Sequence, residues 1–90
     1  MPRIEKQVVV ANKKGIHARP AALFVQMADR FNSTVTIAKG EEQVNGKSIM
    51  GLMMLAAGQG SKLQLICEGS DADKVLADIE ALILAKFDEE

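Results

Sequence analysis

Hydrophobic residues along this chain change period several times, and the order of those changes is what most limits the fold. Between Ile4 and Ala11 they alternate, with Ile4, Val8 and Val10 on one side and Glu5, Gln7 and Val9 on the other. That is the period of a half-buried strand. Asn12-Lys13-Lys14-Gly15 breaks the run. From Ala18 to Phe31 the spacing becomes helical, because Ala21, Phe24, Ala28 and Phe31 recur at steps of three and four.

Asn32-Ser33 closes this helix, and Thr34 to Ala38 forms a second strand with Val35 and Ile37 on one face. Lys39-Gly40-Glu41 predicts a hairpin turn into a short strand around Gln43-Val44. After Asn45-Gly46-Lys47, Ser48 is placed to cap a short helix reaching about Leu55. Gly58-Gln59-Gly60 ends it. Lys62 to Glu68 alternates again, with Leu63, Leu65 and Cys67 inward and Gln64 outward. Gly69-Ser70 opens a last helix, with Ser70 as its predicted cap and Asp71 and Asp73 in its electropositive first turn. Val75, Ile79, Leu82 and Ile83 stripe that helix, Lys86 lies near its negative end, and Asp88-Glu89-Glu90 is a solvated tail.

The predicted order is therefore β-α-β-β-α-β-α. One-sided strands and one-sided helices are satisfied by two layers. The expected class is α+β: a four-stranded, mostly antiparallel sheet with three helices on one face and water on the other. Ninety residues, 48% of them hydrophobic, provide one adequate core, so residues 1–90 read as a single domain.

Charge and cysteine content narrow the function classes. A net charge of −1 lacks the basic bias of a nucleic-acid binder. No apolar run approaches the ~18 residues that a membrane span needs, and Met1 to Lys6 has no apolar h-region of the signal-peptide kind behind it. The chain reads as soluble, unexported and cytoplasmic, without membrane insertion. Cys67 is the sole cysteine, so no internal disulfide can form, and a reducing compartment fits.

The stretch that carries chemistry is Lys14-Gly15-Ile16-His17-Ala18-Arg19-Pro20-Ala21-Ala22, around the only histidine. Pro20 is accommodated only in the first turn of the helix, where its missing N–H costs nothing. The helix therefore begins at about Ala18 or Arg19, with His17 just before it. First-turn N–H groups and the positive end of the dipole then make an anion site beside the imidazole. The same positive charges favour a neutral, nucleophilic ring. A phosphoryl group on that ring would meet N–H donors and the Arg19 guanidinium, while Gly15 permits a sharp turn. From the residues alone, His17 is more readily a capping or surface residue. No second His or Cys lies at metal-ligand spacing, and no nucleophile partner for a hydrolase is evident.

Gly15-Ile16-His17-Ala18-Arg19-Pro20-Ala21, with Asn45-Gly46-Lys47-Ser48-Ile49-Met50-Gly51-Leu52-Met53 some thirty residues later, closely resembles the HPr family. These are the histidine-containing phosphocarriers of the bacterial phosphoenolpyruvate-dependent phosphotransferase system. The resemblance covers essentially the whole chain. It implies an open-faced β-sandwich that takes a phosphoryl group from phosphorylated enzyme I on imidazole Nδ1 and delivers it to enzyme II A domains. His17 matches the phosphoacceptor and Arg19 the arginine that contacts the phosphoryl group. Ala18 stands where some members carry Thr or Ser, so the helix end relies on backbone N–H groups. The resemblance implies a covalent carrier rather than an enzyme, with no cofactor and no metal, acting as a monomer.

Ser48 has two readings. It caps a short helix, and in HPr-like proteins of organisms with HPr kinase/phosphorylase the matching serine is also phosphorylated. Phosphate there would add negative charge near the docking surface and weaken acceptance from enzyme I. Leu52 and Leu55 can face the core, which leaves Ile49, Met50 and Met53 near the surface. With Ala22 they are expected to ring His17 with an apolar docking patch, whose flexible thioethers suit several partners. Two alternatives remain beside sugar uptake: a nitrogen-branch HPr paralogue, and a regulatory interaction domain.

Overall fold

A computed structural model describes residues 2–88. The elements follow in the expected order: β1 (Arg3–Val9), α1 (Ala18–Ala28), β2 (Thr34–Lys39), β3 (Glu42–Asn45), α2 (Ile49–Met54), β4 (Lys62–Glu68) and α3 (Ala72–Leu84). A left-handed turn at Lys86–Asp88 follows α3. The strands form one sheet in the order β1-β4-β2-β3, and every pairing is antiparallel.

Register fixes which side is covered. Ile4 pairs with Cys67 and Cys67 with Val35, while Leu65 lies between Lys6 and Ile37, and Ile37 pairs with Val44. These rows face the helices, because side chains alternate across a strand. Phe24 of α1, Leu52 of α2 and Ile79 and Ile83 of α3 are fully buried against them. Glu5, Gln7, Gln64 and Gln43 fall on the other face. The α+β architecture with three helices on one face of an open sheet is as predicted.

Lys6 shares the inner face, at the sheet's open edge. Its ammonium meets Glu80 of α3 at 2.7 Å, a charge that blunts a strand edge otherwise ready to pair with another chain. Cys67 is buried as expected, and burial pushes its thiol up to about 11, which keeps it protonated and unreactive.

Element ends moved where tertiary contacts compete for backbone groups. The β1 ladder stops at Val9, short of Ala11. Val10 stays buried through separate bonds, donating to Ser61 and accepting from Gly60. The first helix stops at Ala28 rather than Phe31. Lys47 Nζ takes the Phe31 carbonyl at 2.9 Å, and Asp71 takes the N–H groups of Asn32 and Ser33, so the chain is turned toward β2. Lys39 belongs to β2 and pairs with Glu42, leaving Gly40-Glu41 as the hairpin turn.

Ser70 is not the cap of α3. Asp71 occupies that position, and its carboxylate is spent on Asn32 and Ser33 instead of on its own helix. Lys86 lies beyond α3, in the left-handed turn that buries Phe87 completely. Asp88 belongs to that turn, its N–H bonded to Ala85, whereas Glu89 and Glu90 of the expected tail lie outside the described residues.

Candidate functional site

The segment between β1 and α1 is held by three features. The Asn12 side-chain amide donates to the Gly15 carbonyl at 2.7 Å, tightening the turn. Gly15 has φ +70, and a Cβ there would lie 2.3 Å from the Ala57 carbonyl oxygen. Ile16 is buried, and its N–H donates to that same oxygen at 2.8 Å. The loop is thus pinned to the chain that follows α2, and only then does His17 emerge.

His17 occupies the N-cap position of α1 in an extended conformation, half-buried. Its carbonyl accepts from Ala21 N–H at 2.9 Å, the first bond of the helix. Its side chain does not cap the helix, so the capping alternative fails. Pro20 is the third helical residue, buried, and has no N–H to lose. Ala18 and Arg19 are therefore the first-turn donors that the helix's own bonding leaves over. No acidic residue lies in that turn to oppose an anion.

A shallow depression opens beside the ring, lined by Lys14, Ile16, His17, Met53, Ala56, Ala57 and Gly58. Met53 of α2 is thereby brought to His17. Arg19 is exposed and does not line the depression, and neither does Ser48. Ser48 caps α2 as expected: its Oγ accepts from Gly51 N–H at 3.0 Å. Leu52 and Leu55 are buried, while Ile49 (42%), Met50 (74%) and Met53 (45%) are exposed and Ala22 is half-buried on α1.

Sequence reasoning missed Met54, which is 73% exposed and extends the apolar surface. Its spacing of four from Met50 was the available signal. It also missed Ala56 and Ala57, for which no local pattern exists. Among the described residues no group of three or more His, Cys, Asp and Glu could hold a metal ion. No helix among them is long and apolar enough to cross a membrane.

Comparison with known proteins bears on the family and the fold. Residues 4–85 match the family model described as the PTS HPr component phosphorylation site. The chain is 51% identical over 87 residues to phosphocarrier protein HPr of Treponema pallidum, covering 97% of this chain and 99% of the relative. It is 54% identical over 80 residues to the HPr-like protein Crh of Halalkalibacterium halodurans, covering 89% and 95%. Among solved structures, HPr of Thermoanaerobacter tengcongensis matches with a TM-score of 0.93 at 45% identity, covering 97% of this chain and 98% of that one. A second structure from that organism, described as an HPr dimer, matches with a TM-score of 0.76 at 44% identity, covering 91% and 97%.

Proposed function

The chain belongs to the HPr family of phosphotransferase-system phosphocarriers, and from that premise we propose that it relays a phosphoryl group through His17. The observation that carries this reading is the position of His17. It stands at the N-cap of α1, does not spend its side chain on capping, and precedes two first-turn donors. In the forward step the imidazole Nδ1 lone pair attacks phosphorus of phosphorylated enzyme I. The Nδ1–P bond forms as the bond to the donor breaks. The product dianion is then stabilised by the Ala18 and Arg19 N–H groups, the helix dipole and the Arg19 guanidinium. Delivery to an enzyme II A domain reverses the geometry with a new acceptor. The protein supplies position and charge, and the partner completes the site, so the chain acts as a carrier rather than as a catalyst.

Ile49, Met50, Met53 and Ala22 form the docking patch in this reading, and Ser48 is the regulatory site. Ser48 is half-buried at the start of α2, so a kinase needs to displace little to reach it. Its phosphate would sit at a helix N-terminus, compatible with the fold, while placing negative charge on the docking side. The same features serve a second reading, a regulatory partner whose role depends on Ser48 phosphate, or a nitrogen-branch carrier. The working form is a cytoplasmic monomer; sedimentation at working concentration tests it against the dimer described for the Thermoanaerobacter protein.

Incubation with phosphoenolpyruvate and enzyme I, followed by intact-mass analysis, tests the relay. Wild type gains one acid-labile phosphoryl group and His17→Ala gains none. Failure of wild type with both sugar-branch and nitrogen-branch enzyme I would leave the interaction-domain reading.

A further inference from the structure

The end of α2 is built on an unfavourable backbone. Ala56, the residue after the Leu55 cap, has φ +51, a left-handed conformation that costs a non-glycine residue roughly 1–2 kcal/mol. The Leu55 and Ala56 carbonyls lie past the last turn bonds of α2, which end on the Leu52 and Met53 carbonyls, and so need donors from outside the helix. Both demands are met from elsewhere in the fold. Lys39, the last residue of β2, directs its ammonium at this turn, with Nζ donating to the Leu55 and Ala56 carbonyls at 3.3 Å each. Lys39 is itself fixed by pairing with Glu42 and lies on the inner face in register with Val35 and Ile37. A cation from a rigid strand thus closes the electronegative end of α2.

What this turn carries is the seat of the phosphoacceptor loop. Ala57, the next residue, is buried, and its carbonyl is the one that accepts from Ile16 N–H and packs on Gly15. Ala56 and Ala57 also line the depression with His17. The path runs from the Lys39 ammonium through the Ala56-Ala57 turn to Ile16 and so to His17. Lys39 is 22 positions away in sequence and belongs to neither motif. We propose that Lys39 is a positioning residue for phosphoryl acceptance, holding the carbonyl turn against which the His17 loop is seated. The inference rests on His17 being the acceptor.

Without the ammonium, Ala56 loses what holds it left-handed, and the Ala57 carbonyl shifts. Displacement of about 1 Å at a reacting group can slow transfer by up to ~100-fold, so a partial shift is expected to cost about tenfold. The test uses the full chain as wild type, Lys39→Met (stem kept, charge removed) and Lys39→Arg. Amide hydrogen exchange is read at Ile16 and at Leu65 in β4, with kcat and KM for acceptance from phosphorylated enzyme I measured separately. In Lys39→Met, Ile16 should exchange about tenfold faster with Leu65 unchanged. Its kcat should fall about tenfold at constant KM, and Lys39→Arg should restore both. Unchanged Ile16 exchange, equal acceleration at Leu65, or an unaltered kcat would each overturn the proposal. Wild type that takes no phosphoryl group on His17 would overturn the acceptor reading itself. Wild type that is phosphorylated while Lys39→Met behaves identically would overturn the Lys39 proposal alone.

Discussion

The Asp71 carboxylate accepts from the backbone N–H of Ser33 at 2.9 Å and from the Ser33 hydroxyl, joining the start of α3 to the loop before β2. Its other oxygen accepts from Asn32 N–H at 2.9 Å. Gly69 completes the junction, since a Cβ there would lie 2.5 Å from Ser33 Oγ. One carboxylate therefore ties the N-cap residue of α3 to the loop between α1 and β2.

That junction predicts a pH dependence of stability. The Ser33 hydroxyl, then the Asn32 N–H, favour the ionised form and hold the Asp71 carboxyl below the usual carboxylate range. A depressed folded-state value contributes stability that is fully present above the ordinary Asp range and is lost as pH falls through the depressed one. Asp71→Asn should lower the urea midpoint at pH 7, and the gap to wild type should close on acidification. A gap that stays constant down to the acid transition contradicts the assignment.

Gly15, which packs on the Ala57 carbonyl, and Ala56, the residue before Ala57, predict substitutions of opposite sign. Gly15→Ala adds a Cβ at φ +70 against the Ala57 oxygen, combining backbone strain with overpacking, and should destabilise by about 2–4 kcal/mol. Ala56→Gly relieves the left-handed strain at φ +51 with little packing lost, because Ala56 is exposed, and should stabilise by about 0.5–1 kcal/mol. Urea denaturation of the two variants checks both signs.

Elements whose identity comes from one-sided burial were legible in the chain, and so was the start of α1, because Pro20 allows only one placement. Contacts between distant segments were not. Ser70 and Asp71 are both good caps, and only Ser33, 38 residues away, decides how Asp71 is used. Phe87 is buried through three consecutive left-handed residues, Lys86 to Asp88, none of them glycine, so no turn signal announces it. At the candidate site, His17, Ser48, Met50 and Met53 were readable from motif and short-helix sidedness, while Met54 was passed over. Lys39 and Ala57 were not, since their roles arise where β2, α2 and the His17 loop meet.

Capping and regulation at Ser48 separate by substitution. Ser48→Ala removes the acceptor for Gly51 N–H and should cost about 1 kcal/mol. Ser48→Asp keeps an N-cap acceptor and adds charge at the favourable end of α2, so stability should hold while acceptance from enzyme I slows. Equal acceptance rates for Ser48→Asp and wild type would count against control through negative charge at this position.

Docking through α2 predicts a variant that folds normally and transfers poorly. Met50 is 74% exposed and does not line the depression beside His17. Met50→Glu therefore leaves the core and the acceptor geometry intact, and its stability should stay within about 0.5 kcal/mol of wild type. On a complex, however, the carboxylate is buried in an apolar contact without a partner, and removing it from water opposes association. The expected signature is a KM for enzyme I raised about tenfold or more with kcat largely retained, the reverse of the pattern expected for Lys39→Met. Met54→Glu, on the same exposed side and 73% exposed, should act in the same direction if the patch extends that far. Unchanged KM in both variants, with His17 still phosphorylated, would move the docking surface off α2 and onto α1 around Ala22.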